Sequence, residues 1–142
     1  MVFTNSTEYA IRAITRLALL PAGTLAGARE ISRAESIPMP FLWKILKKLC
    51  RRKLVRSFKG LRGGYELARP AEQVTLQDLV LATNGDELEG HCVLGLEQCD
   101  EKRPCPLHEQ WKEIRTQMVA MLEKTTIAEL ARIAASKKLK AK

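Results

Sequence analysis

Between Glu35 and Glu66 the chain carries no acidic residue, while Lys44, Lys47, Lys48, Arg51, Arg52, Lys53, Arg56, Lys59 and Arg62 accumulate. So many like charges cannot be buried unpaired, so the stretch must fold with an apolar side inward and a cationic side outward. Phe41, Leu42, Ile45, Leu46 and Leu49 supply the apolar side. Their helical spacing predicts a helix over 39–52, with Lys44, Lys47, Lys48 and Arg51 largely on the opposite face. A merely solvated surface mixes its signs. An unmixed basic face points to nucleic acid.

The neighbouring segments complete a pattern. Ala10, Ala13, Ile14, Leu17 and Ala18 line one face of a helix over 6–20, which Pro21-Ala22-Gly23 ends. A short helix over 28–34 and a turn through Ser36-Ile37-Pro38 precede the basic helix. Two short strands follow, over 54–58 and 65–67, joined by Lys59-Gly60-Leu61-Arg62-Gly63-Gly64. The glycines permit the positive φ of a tight turn, which carries two cations. Short helix, turn, basic helix and basic hairpin is the order of a winged helix-turn-helix. There a recognition helix enters the major groove, and the wing touches the backbone or minor groove beside it.

The charge is divided along the chain. Residues 1–70 hold 14 basic and 4 acidic side chains, and residues 71–135 hold 6 basic and 12 acidic, before a lysine-rich tail. With 142 residues and 46% hydrophobic content, the chain suits one domain, or a small domain with an accessory element, and its body is expected to be folded. No apolar run approaches the ~18 residues of a membrane span. The start Met-Val-Phe-Thr-Asn lacks the pattern of a secretory signal, so the expectation is a cytoplasmic protein without membrane contact.

After Ala68-Arg69-Pro70, Thr75 and Asp78 make a capping-box-like start to a helix reaching about Thr83. Residues 84–106 are rich in glycine and proline and hold three of the four cysteines. A longer helix beginning near Pro106 carries Leu107, Trp111, Ile114, Met118 and Met121 in steps of 4, 3, 4 and 3. That is the spacing of a helix packing along another helix, in its own domain or between subunits. A last helix starts at Thr126 with Glu129 three residues on.

Cys92, Cys99, Cys105 and His108 form Cys-x6-Cys-x5-Cys-x2-His. Three thiols cannot all pair, and structural disulfides are disfavoured in a reducing cytosol. The spacings are wider than those of zinc fingers and contain no Cys-x-x-Cys redox motif. Wide spacing on a loop suits a larger centre, an iron–sulfur cluster, with zinc and bare thiol chemistry as alternatives. Cys50, four residues past Leu46, falls at the edge of an apolar helix face and reads as packing. A small metal-dependent redox enzyme would need a convergent acid–base set. The chain has only two histidines, His91 and His108, and no nucleophile elbow or metalloprotease motif.

Several motifs together resemble one family. They are Thr4 to Ala10 with Glu8-Tyr9-Ala10, Phe41-Leu42 ahead of the basic helix, Leu54-Val55 and Lys59-Gly60-Leu61-Arg62-Gly63-Gly64-Tyr65. Leu67-Ala68-Arg69-Pro70-Ala71-Glu72, Pro104-Cys105-Pro106-Leu107-His108 and Thr126-Ile127-Ala128-Glu129-Leu130 complete the set. The chain resembles the bacterial winged-helix iron–sulfur regulators of the IscR, NsrR and RirA type over nearly its whole length. The resemblance implies a homodimer joined by the long helix after Cys105, with a loop-bound cluster above the DNA-binding domains. It implies cluster ligation by Cys92, Cys99 and Cys105. The fourth ligand is His108, as in the [2Fe–2S] IscR-like members, or Glu8, where NsrR-like members place an aspartate for a [4Fe–4S] cluster. His108 and [2Fe–2S] are favoured, because Cys105-Pro106-Leu107-His108 keeps the IscR spacing. The first cysteine gap is one residue longer than in IscR. Trp43 and Pro40 stand where IscR-like proteins carry a base-reading glutamate and a serine, so the target sequence does not transfer.

The expected fold is therefore mainly α with a small β-hairpin wing: a winged helix-turn-helix over 1–83 and a cysteine-bearing loop over 84–106. A dimerisation helix and C-terminal helix follow over 107–135, and a basic tail over 136–142. The expected function is a dimeric, non-enzymatic transcriptional regulator of double-stranded DNA that senses iron–sulfur, redox or nitric oxide status. The expected DNA contacts are Lys44, Lys47, Lys48 and Arg51 on the helix and Lys59 and Arg62 on the wing.

Overall fold

The computed structural model describes residues 3–84, 92–96 and 101–137. It has six helices and one hairpin among these residues: α1 (Asn5–Ala18), α2 (Ala28–Glu35), α3 (Met39–Arg51), β1 (Val55–Phe58), β2 (Gly64–Leu67), α4 (Leu76–Asn84), α5 (His108–Lys124) and α6 (Ile127–Lys137). A 3-10 turn (Ala71–Gln73) joins β2 to α4. This is the mainly helical fold with a hairpin wing that the sequence pattern implies.

The helix α1 runs through the middle of the core and packs against α2, α3, α4, α6 and β2. It can do so because small residues, Ala10 and Ala13, alternate with Ile14 and Leu17 on its buried face. Thr4 caps it, its hydroxyl accepting from the Thr7 backbone N–H at 3.3 Å. The helix ends two residues before the expected Leu20. Leu19 closes it by bonding back to the last carbonyls, which leaves Leu20 outside the helix.

Two sharp, non-glycine turns orient α3. Ser36 adopts the left-handed conformation (φ 53°) at the end of α2, where the Ile37 N–H reaches the Ser32 carbonyl at 3.1 Å. The Ser32 hydroxyl donates to the Ile37 carbonyl at 2.6 Å, which locks the turn between the two helices. Lys53 repeats the left-handed conformation (φ 59°) after α3, and the Leu54 N–H bonds the Leu49 carbonyl at 3.0 Å. The chain then turns directly into β1.

In the wing, Val55 pairs with Leu67, Arg56 with Glu66, Ser57 with Tyr65 and Phe58 with Gly64. Ala26 adds a third short antiparallel pairing, exchanging backbone hydrogen bonds with Tyr65 at 3.1 and 2.8 Å. The hairpin is thus braced at its base by the loop after α1.

The far end of the chain returns to the same core. Thr75 and Asp78 cap α4 reciprocally, at 2.9 and 3.3 Å. Thr75 bridges Thr126, with Leu76 N–H bonding Thr125 O and Ile127 N–H bonding Val74 O. Helix α6 therefore packs on α1, and Ile127 is fully buried with the winged-helix core. Helix α5 begins at His108, a little after the expected Pro106, because Pro106 and Leu107 form a turn ahead of it. No helix of the described residues is long and apolar enough to cross a membrane.

Candidate nucleic-acid interface and cysteine site

On α3, Leu42, Ile45, Leu46 and Leu49 are buried, and Lys44, Lys47, Lys48 and Arg51 are exposed. The few carboxylates of the basic half lie elsewhere. Glu35 takes Arg16 Nε at 3.0 Å and lies 3.9 Å from Arg12 Nε, while Arg12 also donates to the Glu35 carbonyl oxygen. Glu66 takes Arg56 at 3.0 Å across the hairpin. Among the described residues, Lys44, Lys47, Lys48, Arg51, Lys59 and Arg62 have no ion pair. Glu35 and Glu66 hold the scaffold together, and the cations of α3 and the wing stay uncompensated. Such a surface attracts phosphates over a screening distance of about 8–10 Å at ordinary salt.

The structure adds residues that the charge pattern did not single out. Phe41, expected with Leu42 on the inward side of the helix, is instead exposed, as is Trp43, on the same helix as the lysines. Phe41 meets Tyr9 of α1 with ring centroids 6.4 Å apart, and Arg12 lies over the Tyr9 ring, 5.3 Å from its centre. The start of α1 is thereby in contact with the start of α3. Only the tertiary fold reveals this pairing, because thirty-odd intervening residues separate the partners in sequence.

Cys92 and Cys105 come together. Cys92 is buried, Cys105 is half-buried, and their thiols are hydrogen-bonded. The backbone N–H groups of Leu94, Leu96 and Gly95 converge on the Cys92 sulfur, that of Leu94 at 3.4 Å. These N–H groups of Leu94 and Leu96, against the opposing effect of burial, hold the Cys92 thiol below its ordinary value. Gly95 makes the turn possible, with φ 77° and its N–H bonded to the Cys92 carbonyl at 2.9 Å. Cys50 behaves oppositely. It sits half-buried at the edge of α3, and burial pushes its thiol up, with a hydrogen bond to Ser57 only partly offsetting that.

His108 opens α5, its N–H bonded to the Cys105 carbonyl at 3.0 Å, and it is buried (4% exposed). Glu101 lies beside it and is paired with Lys112. Glu8 stands half-buried in the first turn of α1, with its N–H bonded to the Thr4 carbonyl at 3.0 Å. Cys99 lies outside the described residues. Among those described, no group of three or more His, Cys, Asp or Glu side chains is close enough to hold a metal ion. The donor set nevertheless suits a thiolate-bound centre. Two thiols are already in contact, and one is biased toward thiolate by a ring of N–H donors, the environment that stabilises cluster sulfur.

A second feature ties this region to the rest. Thr7, fully buried, shares a 2.6 Å hydrogen bond with Thr83, and the Thr4 hydroxyl donates to Asn84 Oδ1 at 2.7 Å. The end of α4, from which the chain continues toward Cys92, is thus fastened to the start of α1.

The family model that matches residues 3–133 is Rrf2, described as iron-dependent transcriptional regulators. The chain belongs to the Rrf2 family. It is 33% identical to a helix-turn-helix-type transcriptional regulator of Aquifex aeolicus over 135 residues, 94% of this chain and 93% of that one. Among solved structures it is similar to CymR, the global cysteine regulator of B. subtilis, with a TM-score of 0.79 at 21% identity, covering 92% and 96% of the two chains. It is also similar to IscR of T. potens, with a TM-score of 0.75 at 18% identity, covering 99% and 93%. At these identities the structural likenesses establish the fold alone. Membership of the Rrf2 family makes the chain a transcriptional regulator and implies DNA binding.

Proposed function

We propose that this Rrf2-family regulator is a cytoplasmic homodimer that binds duplex DNA through α3 and the wing, under the control of an iron–sulfur cluster held by its cysteine loop. The observation that carries the cluster reading is the Cys92–Cys105 thiol contact with three backbone N–H groups converging on Cys92. Cys92, Cys99 and Cys105 would hold the cluster, with His108 as the favoured fourth ligand and [2Fe–2S] the favoured form. Glu8 with [4Fe–4S] is the alternative. When bound, such a cluster supplies a centre whose charge and integrity respond to iron, redox state or nitric oxide. The chain's own residues do the rest: the Leu94 and Leu96 N–H groups bias Cys92 toward thiolate, His108 fixes the start of α5, and the Thr7–Thr83 bond links the loop's origin to α1.

The dimer is supported by α5. Its stripe Leu107, Ile114 and Met121, at heptad spacing, is exposed to 42%, 55% and 46%. Only His108 and Leu122 of this helix are buried among the described residues. A second copy covers such a stripe with the same stripe.

The second reading is a regulator that senses through bare thiols. The same Cys92–Cys105 contact favours it, since a low-pKa thiol beside another thiol is poised to form a disulfide. One experiment separates them. Anaerobically purified and reconstituted protein is assayed for iron and acid-labile sulfide and examined by Mössbauer spectroscopy, with Cys92→Ser, His108→Ala and Glu8→Ala alongside. The cluster reading expects stoichiometric iron and sulfide that Cys92→Ser abolishes. Iron-free protein that forms a Cys92–Cys105 disulfide on mild oxidation supports the thiol reading instead. Zinc without sulfide would point to a metal-stabilised repressor. His108→Ala leaving the spectrum unchanged while Glu8→Ala alters it would move the fourth ligand to Glu8.

A further inference from the structure

The wing carries an apolar feature that its charge does not account for. Leu61, at the tip, is 108% exposed, as bare as in an extended peptide, and Phe58 at the end of β1 is exposed as well. Lys59 and Arg62 flank Leu61 and have no ion pair among the described residues. The tip is not a slack loop. Gly60 takes φ 99°, and the Gly63 N–H bonds the Gly60 carbonyl at 3.0 Å. A Cβ on Gly63 would overlap the Phe58 carbonyl, so only glycine fits there. The Ala26–Tyr65 pairing and the Arg56–Glu66 ion pair brace the hairpin below. Leu61 thus stands out into solvent at the tip of a defined turn, outside the core.

We infer that Leu61 is an apolar wedge that enters the minor groove of duplex DNA next to the major groove occupied by α3, where it partly unstacks one base step. This rests on the assignment of α3 and the wing as the DNA surface. The minor groove, about 6 Å wide, admits a single side chain but not a helix. Its walls are sugars, which give an apolar side chain a surface to bury against, and Lys59 and Arg62 meet the phosphates on either rim. Minor-groove proteins insert Leu, Ile or Phe in this way and kink the duplex toward the major groove. The step that costs least to open is pyrimidine–purine, TA or CA, so the wedge gives the protein a sequence preference without a hydrogen bond to any base. A second copy of this chain is a poor occupant for Leu61, because symmetric docking there would bring Lys59 and Arg62 against their own counterparts.

The test uses the full chain and duplexes that it selects from a randomised pool, with 2-aminopurine placed in turn at steps flanking the α3 contact. The expected result is fluorescence brightening at one pyrimidine–purine step per half-site, lost in Leu61→Ala and retained in Leu61→Met. Leu61→Ala should also weaken binding by roughly tenfold or more, from the lost apolar burial, with the salt dependence unchanged. Lys59→Ala or Arg62→Ala should instead flatten the salt dependence. Bound DNA that shows no brightening, or brightening that persists in Leu61→Ala, overturns the wedge while leaving the DNA surface standing. No enrichment of any duplex, or full binding by Lys44→Ala/Lys47→Ala, overturns the DNA surface itself and the wedge with it.

Discussion

Cys92 and Cys50, which the sequence assigns to a ligand constellation and to packing, have opposite chemistry. Three backbone N–H groups favour thiolate at Cys92, while burial disfavours it at Cys50. In the cluster-free protein, the thiolate fraction of Cys92 should therefore rise at lower pH than that of Cys50. Labelling with iodoacetamide between about pH 6 and 9, each site normalised to its own high-pH rate and read by mass spectrometry, should rise at lower pH for Cys92 than for Cys50, and coincident pH profiles would contradict the assigned environments. The depressed thiol carries a linkage consequence with a definite sign. Its contribution to apo-protein stability is present above the ordinary thiol pKa and is lost as pH falls through the lower folded value. Thr7 is a second residue-scale case. Thr7→Val keeps the shape but removes the buried hydroxyl that Thr83 shares, and should cost about 1–3 kcal/mol in denaturant unfolding. Nothing in the sequence near Thr7 announces a partner at Thr83. Periodicity shows which face is buried, but it does not show which polar groups meet there.

The elements themselves were largely legible, because amphipathic spacing and caps are local. The apolar positions of α1 and α3, the Thr75–Asp78 box and the glycines between β1 and β2 each point to the element found there. Element packing was less legible. The long-range pairing of Thr75 with Thr126, which returns α6 to the winged-helix core, depends on the whole fold. So does the exposure of α5, since the spacing of Leu107, Ile114 and Met121 fits an internal or an external partner equally. Ile114→Glu should separate the two: a dimer held by that stripe dissociates in sedimentation velocity, whereas an internally packed helix leaves the mass unchanged and lowers stability instead. The wing offers a second element-scale expectation. Gly63→Ala should distort the tip, at roughly 1–3 kcal/mol of local strain, and weaken DNA binding, while the thermal midpoint of the core shifts little. A full-strength complex with Gly63→Ala would show that the tip makes no contact.

At the scale of the whole molecule, one helix touches both the basic helix and the end of α4, from which the chain runs on toward Cys92. The start of α1 touches α3 through Tyr9 and Phe41, and it touches the end of α4 through Thr7 and Thr83. A ligand at the cysteines can bias DNA binding only by interacting differently with two arrangements of this connection. A dimer with about 6–10 phosphate contacts should lose on the order of a thousandfold or more in affinity between 50 and 200 mM salt, and an affinity indifferent to salt would contradict the α3–wing surface. The Cys-x6-Cys-x5-Cys-x2-His pattern suggests a metal-type constellation from the sequence alone, and the described residues bring together Cys92 and Cys105 of it. Its nuclearity is not legible in the sequence, because both His108 and Glu8 offer chemically sound fourth ligands from different elements. The most direct measurement is operator affinity for one anaerobic preparation, split into reconstituted and cluster-free halves, with Cys92→Ser carried through both. The account predicts at least a tenfold difference between the halves for the unmodified chain and none for Cys92→Ser. Equal affinities of the two halves, with iron and sulfide verified in the first, would contradict cluster control.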